Sequence, residues 1–419
     1  MRKLLAYCRV NEWAGYDPYD ALNSRIVKRL PILNSRIPRL VLTQTLKRSP
    51  VNLRRLLLVP KTQNPKALAL VLAALVKVPE NEVADQESLI ESMAARLATL
   101  RSPNNPYWCW GYSFPWQTRT VVVAAGAPNL VCTTFVAGAL LDLYERRLDS
   151  RHLAMALSAA DYIVNELYWS NGAAAGFSYP VASLASETHN ANFLAAALLC
   201  RAWRHTGDER YLDPALTAAR YSASRQNADG SWYYGEAPSQ RWIDNFHTGY
   251  NLCALRSISQ SIGTTEFDRC IQRGFEFYRN HFFREDGAAT YYHDRAYPID
   301  IHCVAQSIIT LLAFRDVGRQ NVRLADSVFR WAINHMWDER GFFYYRVLRS
   351  CTIRTSYMRW SQAWMLLAIA ELLSKSDPGL SAQPSIGSAA AFSLARGLSA
   401  ASLEGERCAA AGGRKDRFE

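Results

Sequence analysis

Ala/Leu-rich stretches at helical spacing recur along this 419-residue chain with a nearly constant period, and that period limits the fold more than any other feature. Aligned by their apolar middles, five segments come into register: PNLVCTTFVAGALLDL from 128, ETHNANFLAAALL from 187, DNFHTGYNLCAL from 244, IDIHCVAQSIITLL from 299 and YMRWSQAWMLLAIAEL from 357. Cys132, His189, His247, His302 and Arg359 then stand at one position, 57, 58, 55 and 57 residues apart. Between them lie helices with one polar face, near 150–167, 209–226, 265–282 and 322–336. Turns with Gly and aromatic pairs follow, as at Gly230 with Tyr233-Tyr234 and Gly287 with Tyr291-Tyr292. One period further back, the run 65–77 and a polar-faced helix at 86–100 add another hairpin, and the N-terminal region is left to supply a twelfth helix.

Apolar helices alternating with amphipathic ones suit two concentric rings, with the apolar set inside. The expected fold is all-α, an (α/α)6 toroid of about six helical hairpins. Tetratricopeptide, HEAT and armadillo solenoids have shorter repeats, of about 34 to 47 residues, and lack long aromatic loops. The expected organisation is a basic segment at 1–60 packing on or beside the ring, a toroid at 61–375 and a low-complexity, disordered tail at 376–419.

In such a ring the starts of the inner helices meet at one end of a central funnel. Glu187, His189, Asn190 and Asn192 come from one repeat, Asp244, His247 and Tyr250 from the next, then Asp300 and His302, then Tyr357, Arg359 and Trp360. A shared polar site is one reading. The other makes the acids helix caps and leaves the histidines bonded to nearby backbone. The loop YWCWGYSFPWQTR at 107–119 adds Trp110 and Trp116 as stacking surfaces for sugar rings and Arg119 as a group for a carboxylate or phosphate. With 12 Trp and 21 Tyr, the chain holds more rings than packing alone requires, which favours a carbohydrate partner.

The expected function is action on a glycosidic linkage, with Asp244 and Asp300, and with Glu187, as acid and base or nucleophile, because acids recur at three inner-helix starts and the aromatic loops could stack a chain of sugars. Two alternatives stay open. His247 and His302 could instead move a proton next to a carbonyl, as in an epimerase or lyase, with Arg359 steadying charge. A non-catalytic glycan-binding subunit would need the aromatics alone. Absence of H-E-x-x-H spacing argues against a metal, and absence of a Walker loop or Rossmann fingerprint argues against a nucleotide cofactor.

The net charge of +11 is concentrated in residues 1–60, where twelve Lys and Arg face only Glu12, Asp17 and Asp20. A near-neutral remainder argues against nucleic acid. The basic stretch also carries Leu30, Ile32, Leu33, Ile37, Leu40, Val41 and Leu42, so contact with an anionic membrane is a second expected role. Nine scattered cysteines without C-x-x-C spacing read as core residues of a reducing compartment, and the expected location is cytoplasmic, peripheral to a membrane.

The segments WAGYDPYDALNS, WGYSFPWQTR, DNFHTGY and YPIDIH, together with the repeat, resemble a group of bacterial proteins associated with exopolysaccharide biosynthesis, within the six-hairpin (α/α)6 toroid superfamily. The resemblance spans about residues 13–375. It implies a carbohydrate role but no single reaction, because the superfamily holds glycoside hydrolases, unsaturated glucuronyl hydrolases, N-acylglucosamine 2-epimerases and lyases.

Overall fold

The computed structural model describes residues 1–30, 35–80 and 82–374. Ile32, Leu33 and the tail at 376–419 lie outside the described residues. After α1 (Arg2–Val10) and α2 (Arg36–Arg48), the chain alternates inner and outer helices. The inner set is α3 (Pro65–Lys77), α5 (Leu130–Arg147), α7 (His189–Thr206), α9 (Asn245–Ile262), α11 (Ile301–Ala313) and α13 (Ala363–Ser374). The outer set is α4 (Gln86–Thr99), α6 (Ser150–Tyr162), α8 (Glu209–Ser224), α10 (Asp268–His281) and α12 (Arg319–Met336). Each inner helix packs on the next, and α13 packs back on α3, so the ring closes.

Sequence chemistry explains the layering. Every residue of α3 from Pro65 to Leu75 is buried, as a helix covered on all sides requires. On α10, by contrast, only one stripe built around Ile271, Phe275 and Tyr278 is covered. Leu4, Leu5 and Cys8 on α1 are likewise buried, and that helix lies against Phe342–Phe343 and residues 358–362, beside the start of α13.

Caps set where the inner helices begin. Asn64, Asn129, Asp244 and Asp300 each accept a backbone N–H of the first turn with a side-chain oxygen, a contact typically worth about 1 kcal/mol. At the other end, α7 and α9 stop on Gly207 and Gly263, both at φ +68°, where a glycine avoids the cost of a Cβ. Asp208 follows Gly207 at once and caps α8, so the connection between the two layers is only two residues long. Long connections therefore gather at the end where the inner helices start. They carry short antiparallel pairings, among them Ile299–Asp300 with Arg346–Val347 and Trp116–Gln117 with Val122–Val123.

The N-terminal segment also lies at that end. Tyr16 bridges to Tyr357, and Asp17 accepts both Nε (2.6 Å) and Nη2 (2.8 Å) of Arg359, with both residues buried. A second buried pair, Arg54 with Asp20 at 2.7 Å, holds residues 13–24 to the turn after α2. Breaking a buried pair of this kind costs about 3–5 kcal/mol, so the segment is firmly attached.

Candidate active site

At the start of α9, Asp244 does two things. Its Oδ1 caps the helix by accepting the His247 N–H at 3.0 Å. Its Oδ2 lies 2.9 Å from Trp242 Nε1 and 2.7 Å from His247 Nδ1. A carboxylate can only accept there, so Nδ1 carries the ring proton and Nε2 of His247 presents its lone pair. The imidazole is about one-fifth exposed, while Asp244 is buried. Together they have the layout of a general base held by an orienting carboxylate.

His247 borders a narrow slot, too tight in this conformation to admit a water molecule, lined also by Asn190, Trp232, Tyr233, Tyr234, Trp242, Asp244, Thr248 and Asn251. One wall is a stack: Tyr234 and Trp242 lie at 4.5 Å with 12° between planes, and the Arg119 guanidinium sits 4.8 Å over Trp242. Asn190 Oδ1 and Asn251 Oδ1 are buried without a hydrogen-bond partner among the described residues. Buried acceptors left open cost about 1–3 kcal/mol each unless a hydroxyl or water donates to them.

Deeper in the ring, His302 Nε2 lies 2.5 Å from the Tyr250 hydroxyl, and its Nδ1 has no partner among the described residues. Its ring contacts Phe246, Trp360 and Trp364, at 4.5–4.6 Å between centroids. Burial first, then the charges of Lys66 and Arg359, push its pKa well below the ordinary histidine value, so it is neutral. Lys66, in the first turn of α3, is 2% exposed and sits 3.9 Å over the Phe135 ring, near Tyr250 and Trp364. No carboxylate among the described residues is within ion-pair distance of it, and burial with the Arg359 charge holds its pKa well below the usual lysine value.

The structure thus brings Asp244, His247, Tyr250, Asp300, His302, Arg359 and Trp360 to one end of the ring, but their surroundings differ. Asp300 is fully buried, and donors occupy both oxygens. Oδ1 accepts the His302 N–H and Trp360 Nε1, each at 2.9 Å, and Oδ2 accepts Arg346 Nε at 2.9 Å and Nη2 at 2.6 Å. It is a cap and an arginine partner with no free lone pair toward a substrate. Arg359 is likewise committed to Asp17.

Other expected site residues do not reach the funnel. Glu187 bonds Tyr221 on α8. His189 contacts Glu236, in the connection from α8 to α9, at 2.9 Å and Ser222 on α8 at 3.3 Å, and Asn192 donates to Ser222 at 2.9 Å. The reason is the cap. His189 is the first residue after its cap, His302 the second and His247 the third, so at 100° per residue His189 points about 200° away from His247. Trp110 is a core residue that donates to Leu97 O on α4 at 2.8 Å. Tyr357 is buried under Arg54. Trp116 is half-buried against Tyr112, and only Arg119 of that loop reaches the slot wall.

No family model matches the chain, and no curated protein matches it. Solved structures do. Cellobiose 2-epimerase from Bacillus thermoamylovorans B4167 superposes with a TM-score of 0.58 at 11% identity, covering 75% of this chain and 90% of that one. This chain has the (α/α)6 toroid fold. A GH76 α-mannanase from Bacteroides thetaiotaomicron (TM-score 0.57, 11% identity, 74% and 85% covered) and a D-mannose isomerase (0.55, 11%, 74% and 86%) share it. These toroid neighbours are carbohydrate-acting enzymes, and at such identities the likeness carries the fold alone.

Sequence reasoning missed Lys66, Trp242 and Tyr234. Trp242 had a usable signal, standing two residues before the cap of α9 in RWIDNFH. Lys66 had none, because Cys132 follows it by 66 residues, outside the 55–58 period. Among the described residues, no cluster of metal-ligating side chains occurs.

Proposed function

We propose that the protein acts on a saccharide by histidine-mediated proton transfer next to a carbonyl, the chemistry of an epimerase or isomerase, in the context of exopolysaccharide metabolism that its sequence resembles. The observation that carries this reading is the Asp244–His247 pair, whose Nδ1 is held by the carboxylate so that Nε2 is left for a substrate, on the wall of a slot that must widen to admit a sugar. In the proposed step Nε2 of His247 takes a proton from the carbon beside the carbonyl of an open-chain sugar. The protonated Nε2 then returns that proton to the enediolate, at the neighbouring carbon for an isomerase or, after rotation of the enediolate, at the other face of the same carbon for an epimerase. Neutral His302 is a positioning residue, its ring and that of His247 both lying against Phe246. Trp242 and Tyr234 offer a stacking face, and Asn190 and Asn251 offer acceptors for sugar hydroxyls. Hydrolysis by paired carboxylates is less well supported, because Asp300 has no free oxygen. The deciding measurement is NMR of D-mannose and cellobiose incubated with the protein in D₂O. Deuterium at C2, lost in His247→Gln, is expected; cleavage of cellobiose without deuterium incorporation favours the hydrolase.

A further inference from the structure

The N-terminal segment carries a surface that the saccharide chemistry does not use. No Asp or Glu occurs between Asp20 and Glu80. Seven of the twelve large apolar side chains exposed among the described residues fall within 26–58, which makes this a patch and not the usual scatter. On α2 the polarity is inverted. Lys47 points inward, its Nζ 2.6 Å from the Tyr19 hydroxyl, and Thr43 and Leu46 share that face. Ile37, 71% exposed, and Val41, 60% exposed, point outward with Arg48 at helical spacing, so apolar and basic groups form one outer stripe. Next to it, the Arg25 N–H bonds Leu58 O, which joins the turn bearing Ile26 to the turn bearing Leu56 and Leu58. Arg25, Lys28, Arg29, Arg36, Arg48 and Arg55 are exposed and enter no ion pair among the described residues.

We infer that this face docks on an anionic lipid bilayer. Apolar side chains standing among unpaired cations fit the headgroup boundary, where the branched chains enter the acyl region and the cations meet lipid phosphates. A protein partner of ordinary surface would leave many of those cations unmatched. The inner side of the same segment contacts the site, through Asp17 on Arg359 and Tyr19 against Trp360 at 5.6 Å.

Flotation of the full chain with vesicles of phosphatidylcholine, alone or mixed with phosphatidylglycerol, tests this. Binding to the mixed vesicles is expected, with little to phosphatidylcholine, and it should fall at least roughly tenfold between about 50 and 500 mM NaCl, since each basic residue near the surface contributes roughly fivefold. Ile37→Asp with Val41→Asp should abolish the binding at low salt while the thermal melt is unchanged. Val317→Asp, at an exposed apolar site between α11 and α12, should not. Absence of binding to the mixed vesicles at low salt, or equal losses in the two variants, overturns the inference. So does a change in sedimentation mass in the double variant without a change in vesicle binding, which would make the face a contact between protein copies.

Discussion

Replacing Asp244 by Asn separates its two jobs. The amide oxygen can still cap α9 by accepting the His247 N–H, so the contribution of about 1 kcal/mol from the cap largely survives. The NH₂ group, however, replaces the oxygen that accepts from Trp242 Nε1 and His247 Nδ1. His247 can adapt by moving its proton to Nε2 and accepting from the amide at Nδ1. Trp242 then loses its acceptor, at about 1–3 kcal/mol, and one charge-assisted bond becomes a neutral one. A loss of about 2–4 kcal/mol is expected, small enough for a domain of ordinary stability to stay folded at room temperature. The chemical effect is larger, because a protonated Nε2 cannot accept the substrate proton. The same tautomer error in a serine protease triad lowers turnover about 10⁴-fold, and about 10²–10⁴-fold is expected here. Deuterium incorporation into D-mannose or cellobiose gives the rate, and a thermal melt gives the stability. Unchanged exchange with a lowered melting temperature would make Asp244 a cap and nothing more, and would remove the reason for naming His247 as the base.

Asp300→Asn leaves Arg346 buried with a neutral partner, so a stability loss of about 3–5 kcal/mol by chemical denaturation is expected, with turnover per folded molecule within tenfold of the parent. Lys66→Met should stabilise the protein at pH 7, because burial disfavours the charged form that the unfolded chain holds at that pH. The sign follows from linkage: the unfolded chain holds the Lys66 proton up to about pH 10.4 and the folded chain gives it up earlier, so the advantage of the variant should shrink as pH rises from 7 to 9. A pH-independent difference in urea midpoints would refute that. Trp242→Ala removes a stacking face beside His247, and KM for the sugar that exchanges deuterium should rise roughly tenfold with kcat little changed.

The ring was legible because its signal is redundant. A helix buried on all sides is largely apolar, and five such stretches at one spacing, with a sixth before them, leave few other ways to cover them. Gly207 with Asp208, and Asp244 and Asp300 as caps, repeat the same message at the helix ends. A side-chain direction has no such redundancy. The repeat holds to within three residues, which is accurate for a hairpin and nearly a full turn for a side chain. His189, His247 and His302 therefore aligned well in sequence while differing by one or two positions from their caps, and His189 came out between α7 and α8. The caps were visible in the same sequence, as Asp244 and Asp300, but α7 begins after Thr188 with no side-chain capping bond, and that offset could not be read.

Charge order shows why the deepest part of the site escaped pattern reasoning. Arg54 and Arg359 are buried at this end of the ring and Arg346 is mostly covered, and each has its own carboxylate: Asp20, Asp17 and Asp300 in that order. Two of those acids come from the N-terminal segment, far in sequence from the repeat, so periodicity could not pair them with anything. Once those pairs are assigned, Lys47 and Lys66 are left among the buried cations; Lys47 donates to the Tyr19 hydroxyl, whereas Lys66 lies in the first turn of a helix whose dipole also disfavours positive charge. Packing alone does not account for it: a methionine of similar volume would fill the space among Phe135, Tyr250 and Trp364 without the desolvation cost. On the proposed reading, a group retained against that cost beside His302 would stabilise the negative charge of the enediolate that proton abstraction forms.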